Sequence, residues 1–168
     1  FLDDLDRGRS TDPVTAAVVD TALRWQLPRT RFESFLDAMR MDLSVSSYET
    51  YEDLMQYVYG SAAVIGLLTL PVLEPTTPDA EPYARDLGIA FQLANFVRDV
   101  GEDLERGRIY LPLDELARFG VDREVLERRV VTPAVRAALQ LQVARVRALA
   151  GAAAPGVAML HPSSQPCV

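Results

Sequence analysis

Apolar residues recur along this chain three and four apart, the spacing of a helix, and almost nowhere alternate as a strand would. Asp12-Pro13 opens the first clear segment as an N-cap followed by proline at the first helical position, and Val14, Ala17, Val18, Ala22 and Trp25 form its stripe. Pro28 ends that segment and opens another, striped by Phe32, Phe35, Leu36, Met39 and Leu43. Thr50-Tyr51-Glu52-Asp53 reads as a capping box with Asp in place of the usual Glu, and it starts an apolar helix from Leu54 to about Leu73. Two prolines and two threonines make Glu74–Pro78 a loop. A fourth long helix is predicted from about Asp79 to about Asp103, followed by an irregular connector, Arg106–Pro112. Short helices over Leu113–Phe119, stopped by Gly120, and Asp122–Arg128 precede a last long helix from Pro133 to about Ala154. With no hairpin signal, repeat or low-complexity tract, the pattern predicts an all-α chain with a single domain over residues 1–168.

The run Val58–Leu73 is uncharged but only 16 residues long, and Gly60, Gly66 and Pro71 interrupt it. A spanning helix needs about 20 apolar residues, so a buried central helix is the expectation.

Composition narrows the function classes. The 168 residues carry 17 cations and 24 acids, a net charge of −7, and every cation is arginine. An acidic balance disfavours nucleic acid, whose phosphates need a basic surplus, and a polybasic grip on anionic lipid. One cysteine, Cys167, has no internal disulfide partner, which fits a reducing, cytoplasmic setting. With His161 as the only histidine, soft ligands are too few for a zinc site. P-loop, G-x-G-x-x-G and G-x-S-x-G patterns are absent.

The most informative stretch is Gln92-Leu-Ala-Asn95-Phe-Val-Arg98-Asp99-Val-Gly-Glu102-Asp103. On a helix Asn95, Asp99 and Asp103 fall at i, i+4 and i+8 and line one stripe, with Gln92 one turn earlier. Two carboxylates and a carboxamide beside apolar residues suit a hard, oxygen-seeking cation such as Mg²⁺, and Arg98 offers a fork for phosphate. The same spacing also describes a solvated helix face. Small residues in Tyr57-Val-Tyr-Gly-Ser-Ala-Ala-Val-Ile-Gly66 leave room either for a neighbouring helix or for a long apolar ligand. Arg106-Gly-Arg108 is either a clamp on an anion or a solvated loop.

Together, Tyr57–Gly66 and the string from Asn95 to Pro112 strongly resemble the squalene/phytoene synthases, and within them the bacterial phytoene synthases. Met39–Leu43 and Pro155–Leu160 agree, so the resemblance covers essentially the whole chain. It implies an all-α isoprenoid (terpenoid) synthase fold around a central cavity. The implied reaction is the Mg²⁺-dependent (or Mn²⁺-dependent) head-to-head condensation of two geranylgeranyl diphosphates to phytoene through prephytoene diphosphate, a prenyl transfer of carotenoid biosynthesis that uses no nicotinamide cofactor. By position, Asn95, Asp99 and Asp103 match the metal-binding second aspartate-rich motif, and Gln92 and Arg98 match its substrate-contacting neighbours. Tyr57 matches an active-site tyrosine, and Ala62, Ile65 and Gly66 match the wall of the substrate tunnel.

The chain departs from the family's pattern at both ends, and the family's C-terminal helices with an active-site tyrosine are expected beyond Val168. The family's first aspartate-rich motif is not found: Phe1–Asp6 is no D-x-x-x-D, since Arg7 follows Asp3 by four and Gly8 follows Asp4 by four. The chain therefore reads as an internal fragment of a synthase domain that carries half of the metal site and is inactive by itself. Two rival readings are a squalene or dehydrosqualene synthase using farnesyl diphosphate, and a non-catalytic assembly module, which the intact Asn95, Asp99 and Asp103 disfavour. Release of an apolar product implies peripheral association with the inner face of a membrane.

Overall fold

Short-range signals decide where most helices begin. In the computed structural model, which describes every residue from Phe1 to Val168, α1 (Leu2–Arg7) is followed by α2 (Pro13–Arg24), where Asp12 accepts the Thr15 amide at 2.7 Å. Next come α3 (Arg29–Met41) and α4 (Tyr51–Val58). The capping box closes as expected: the Thr50 hydroxyl accepts the Asp53 amide and the Asp53 carboxylate accepts the Thr50 amide, both at 3.1 Å. Such a pair satisfies two amides that a helix start otherwise leaves bare.

Beyond α4 the helix runs on through a π turn, Tyr59–Ala63, into α5 (Val64–Thr69) and a tight last turn, Leu70–Leu73. This 23-residue helix, Tyr51–Leu73, is longer than the 16-residue run suggested, and by length and composition alone it meets the requirement for a membrane span. Here it packs against α3 and against α6 (Ala80–Arg98) instead, with Val58, Ala63 and Val64 fully buried. Pro71 lacks the amide that Leu67 O would accept one turn back. Arg31 of α3 supplies a donor there, Nη1 to Leu67 O at 2.8 Å, while its Nη2 pairs with Glu81 of α6 at 2.7 Å.

The helix expected to run unbroken to Asp103 is broken at Asp99. There the backbone relaxes to φ −99° and ψ 9°, so α6 ends at Arg98 and α7 (Val100–Glu105) begins. Asp and Gly101 are both poor helix formers. The turn nevertheless stays hydrogen-bonded, Asp99 N to Asn95 O at 2.8 Å and Asp103 N to Asp99 O at 2.9 Å, so the stripe survives the break. The connector then lies along residues 46–49: Ile109 N donates to Ser46 O, Leu113 N to Tyr48 O and Asp114 N to Glu49 O, at 2.9–3.0 Å. After it come α8 (Leu113–Ala117), turned by Gly120 at φ +68°, α9 (Arg123–Glu127), and α10 (Pro133–Ala153), which packs along α6. One contiguous core draws on α3, α4, α6, the connector and α8–α10.

Small residues set the helix spacing. A Cβ on Gly60 would meet the Ser34 carbonyl and the Ala38 Cβ of α3, and one on Gly66 would strike the Ala84 carbonyl of α6. Gly66→Ala therefore forces α5 off α6. The full-length protein is expected to lose about 1–3 kcal/mol, read as a lower Tm; an unchanged Tm would mean that the two helices are not this close.

Candidate functional site

One stripe of α6 carries two kinds of chemistry. Its first turns, through Ala84, Leu87, Gly88 and Gln92, form a wall of an apolar cavity of about 400 Å³, within the 300–1,000 Å³ range of small-molecule sites. The opposite wall comes from the π turn and α5, with Ser61, Ala62, Ile65 and Gly66. The small residues of this segment thus serve both uses left open by the sequence, close packing at Gly60 and Gly66 and room for a ligand between. Following the same stripe onward by helical steps leads from Gln92 to Asn95, Asp99 and Asp103.

At Asp99 the carboxylate is held in a fork by its neighbour: Arg98 Nε donates to Oδ1 at 2.6 Å and Nη2 to Oδ2 at 2.7 Å. That contact keeps the Asp99 carboxyl below the ordinary carboxylate range. Asp103 moves the opposite way, raised first by desolvation and then by the negative charge of Asp99. The two acids of the stripe thus sit in different surroundings, Asp99 paired with Arg98 and Asp103 partly desolvated. The donors, a carboxamide and two carboxylates, are the hard oxygen ligands that Mg²⁺ prefers. No group of three His, Cys, Asp or Glu side chains placed to hold a metal ion is found in the chain.

Five of the expected site residues stand off the cavity wall: Asn95, Asp99 and Asp103 lie beyond its end at Gln92, and Arg98 and Tyr57 stand elsewhere. Arg98 is mostly exposed and engaged with Asp99. Tyr57 is buried and turned away from the cavity lining; its hydroxyl donates to Asp42 Oδ2 at 3.0 Å. Burial, first of all, drives its phenol well above the ordinary range, and the nearby Tyr110 and Asp42 add to this, so it stands protonated. Helical spacing accounts for most of the separation: Ala62 and Gly66 lie five and nine residues beyond Tyr57, on other faces of a regular helix, and the wider turn at Tyr59–Ala63 shifts the register further.

The arrangement around Asp42 was not readable as a site from sequence. Asp42 caps the C-terminal end of α3. Arg108 Nη1 reaches its Oδ1 at 3.2 Å, Arg108 Nη2 its backbone carbonyl at 2.9 Å, and the Tyr110 hydroxyl its Oδ1 at 3.3 Å. Arg108 Nη1 also donates to Tyr110 Oη at 2.8 Å. The Arg106-Gly-Arg108 pair thus divides: Arg108 is anchored, while Arg106 stays exposed with only a long pair to Glu102 at 3.7 Å. Phe96 stacks on Tyr110 with centroids 4.2 Å apart, and Tyr48 and Tyr57 extend the aromatic group. The signals available beforehand were the resemblance of Met39–Leu43, which contains Asp42, and the reading of Arg106-Gly-Arg108 as a clamp on an anion; neither paired Asp42 with Arg108.

Comparison with known proteins shows the family and the fold. The family model for squalene/phytoene synthase matches residues 1–168. The chain is 40% identical over 170 residues to phytoene synthase 1, chloroplastic, of Arabidopsis thaliana, covering 98% of this chain and 40% of that protein. It is 41% identical over 158 residues to the 15-cis-phytoene synthase of Synechococcus elongatus, covering 87% of this chain and 51% of that one. The crystal structure of the squalene synthase HpnC from Alicyclobacillus acidocaldarius superposes with a TM-score of 0.90 at 29% identity, over 98% of this chain and 63% of that one. The chain thus spans about half the length of the relatives it matches, and its all-α architecture is the isoprenoid synthase fold. By this match along its whole length, the chain belongs to the squalene/phytoene synthase family.

Proposed function

We propose that the full-length protein is a prenyltransferase that joins two geranylgeranyl diphosphates head to head to give phytoene. The observation that carries this reading is the order of side chains along α6 and α7: an apolar cavity wall that ends at Gln92 is followed at helical spacing by Asn95, Asp99 and Asp103. A prenyl diphosphate has the same division, a long apolar chain ending in a polyanionic head. The identity of about 40% to phytoene synthases supports the choice of substrate over farnesyl diphosphate.

In this reading Asn95, Asp99 and Asp103 would hold Mg²⁺, which would supply the positive charge that a departing diphosphate requires. Loss of diphosphate from one substrate leaves an allylic cation, and the double bond of the second captures it. Loss of a proton then closes the cyclopropane of prephytoene diphosphate. A second loss of diphosphate, rearrangement and loss of another proton give phytoene with no reductant consumed. The apolar wall of Ala62, Ile65 and Gly66 orders the chains and keeps water from the cation. The site of action is the cytoplasm, at the inner face of the membrane that takes up the apolar product.

Parallel incubations of the full-length protein with Mg²⁺ and either geranylgeranyl or farnesyl diphosphate test the substrate. A C40 hydrocarbon from geranylgeranyl diphosphate is expected. A C30 hydrocarbon from farnesyl diphosphate alone would assign the protein to squalene or dehydrosqualene synthesis instead.

A further inference from the structure

Asp42 stands where a structural argument alone would not place an acid. The C-terminal end of a helix carries a partial negative charge, so a carboxylate there is locally unfavourable, and its side chain is only 23% exposed. A residue that breaks a local rule is a pointer to function when the surroundings are built to tolerate it. Three polar side chains from two distant segments converge on this one carboxylate: Tyr57 from α4, and Arg108 and Tyr110 from the connector. Arg108 also caps the open Asp42 carbonyl, as basic groups do at helix ends. The far side of the array adjoins the stripe. Arg108 N donates to Asp103 O at 2.8 Å, and Phe96, next to Asn95, lies flat on Tyr110.

Only two of the guanidinium nitrogens of Arg108 are engaged. Nη1 and Nη2 face Asp42 and Tyr110, whereas Nε makes no hydrogen bond to the protein and the side chain remains one-third exposed. The array therefore fixes a cation at the end of the carboxylate stripe with a donor to spare. Fixing charged groups before substrate arrives is what makes them effective against charge that develops during reaction.

We propose that Asp42 is a positioning residue of the diphosphate end of the site: its carboxylate and carbonyl hold Arg108, Tyr57 and Tyr110 as one array beside the Asn95–Asp99–Asp103 stripe. The proposal rests on the prenyl-transfer reading. Asp42 does not itself meet substrate. Its contribution is that Arg108 has one orientation instead of many.

The test uses the full-length protein and Asp42→Asn, which keeps the shape and removes the charge. Expected are a kcat lower by about tenfold or more, a KM within about threefold, and a Tm close to that of the unaltered protein; Asp42→Glu restores part of the kcat. Calorimetry with inorganic pyrophosphate and Mg²⁺ gives a readout separate from turnover, and weaker binding by Asp42→Asn is expected. Should Asp42→Asn fail to fold, Tyr110→Phe removes one hydroxyl of the array, leaves the ring stack, and is expected to lower kcat in the same direction by less. An active unaltered protein with Asp42→Asn unimpaired in both kcat and pyrophosphate binding overturns the proposal alone, as does a loss of activity that follows the loss of Tm. An unaltered protein that neither turns over prenyl diphosphates nor binds pyrophosphate overturns the prenyl-transfer reading, and this proposal with it.

Discussion

Asp99→Asn in the full-length protein is expected to reduce turnover by about 10² or more, the scale of removing one preorganised charge contact from a transition state, while leaving helix content and Tm essentially unchanged. The two halves of this expectation have different sources. Asp99 lies at the break between α6 and α7, and its only protein partner beyond the backbone is the mostly exposed Arg98 next to it. Exposed ion pairs contribute little to stability, and the break already tolerates non-helical backbone. Asp99 is also the middle donor of the Asn95–Asp99–Asp103 stripe, and its charge adds to the desolvation that raises Asp103. The amide would keep an oxygen donor but take away half of the negative charge on the stripe. Circular dichroism and steady-state turnover on the same preparation make the comparison. Undiminished turnover would refute the metal role of this residue, and a collapse of helix content would show that it is structural.

Glu115→Ala is expected to have the largest effect on stability, about 3–5 kcal/mol, the usual result of removing one partner from a buried charge pair. Glu115 on α8 is 6% exposed. It accepts from Gln142 Nε2 at 2.6 Å and from both terminal nitrogens of Arg145, at 2.6 and 2.9 Å, on α10. Arg145 in turn stacks over the Tyr51 ring at 3.9 Å, at the start of α4. Three helices are tied together at one polar point inside an apolar surround, and removing the carboxylate leaves Arg145 without its counter-ion. The pH dependence has a definite sign. Arg145, first of all, lowers the Glu115 carboxyl below its ordinary 4.5, so the folded state binds fewer protons than the unfolded one. The stabilisation is full above that value and fades as the pH falls through the lower, folded value. Denaturant melts at neutral pH and in acid should show the gap between the unaltered protein and Glu115→Gln closing in acid. A gap that stays constant with pH would mean that the pair is not the source of the stability.

What could be read from the sequence depended on range. Caps and breakers act within a turn or two, so Asp12, the Thr50–Asp53 box, Gly120 and Pro133 mark their boundaries directly. The Asn95–Asp103 stripe follows from spacing on one helix, and even the break at Asp99 left it in line. The π turn was not legible, because nothing local in Tyr59–Ala63 distinguishes it from an ordinary turn; it arises where the helix is pressed between α3 and α6. Tyr57 stands apart from Ala62 and Gly66 even on a regular helix, since separations of five and nine residues place them on other faces. The Asp42 array was equally hidden, since Asp42 and Arg108 meet across 66 positions of sequence. Arg106-Gly-Arg108 read either as a clamp on an anion or as a solvated loop, but nothing local named Asp42 as that anion.

Diffraction from crystals of the full-length protein grown with Mn²⁺ and pyrophosphate, recorded for the anomalous signal of Mn²⁺, tests the central claim most directly. The account predicts a peak within coordination distance of the Asp99 and Asp103 carboxylates and the Asn95 carboxamide, with pyrophosphate on its open side. A peak on other residues, with these three side chains bare, would contradict it.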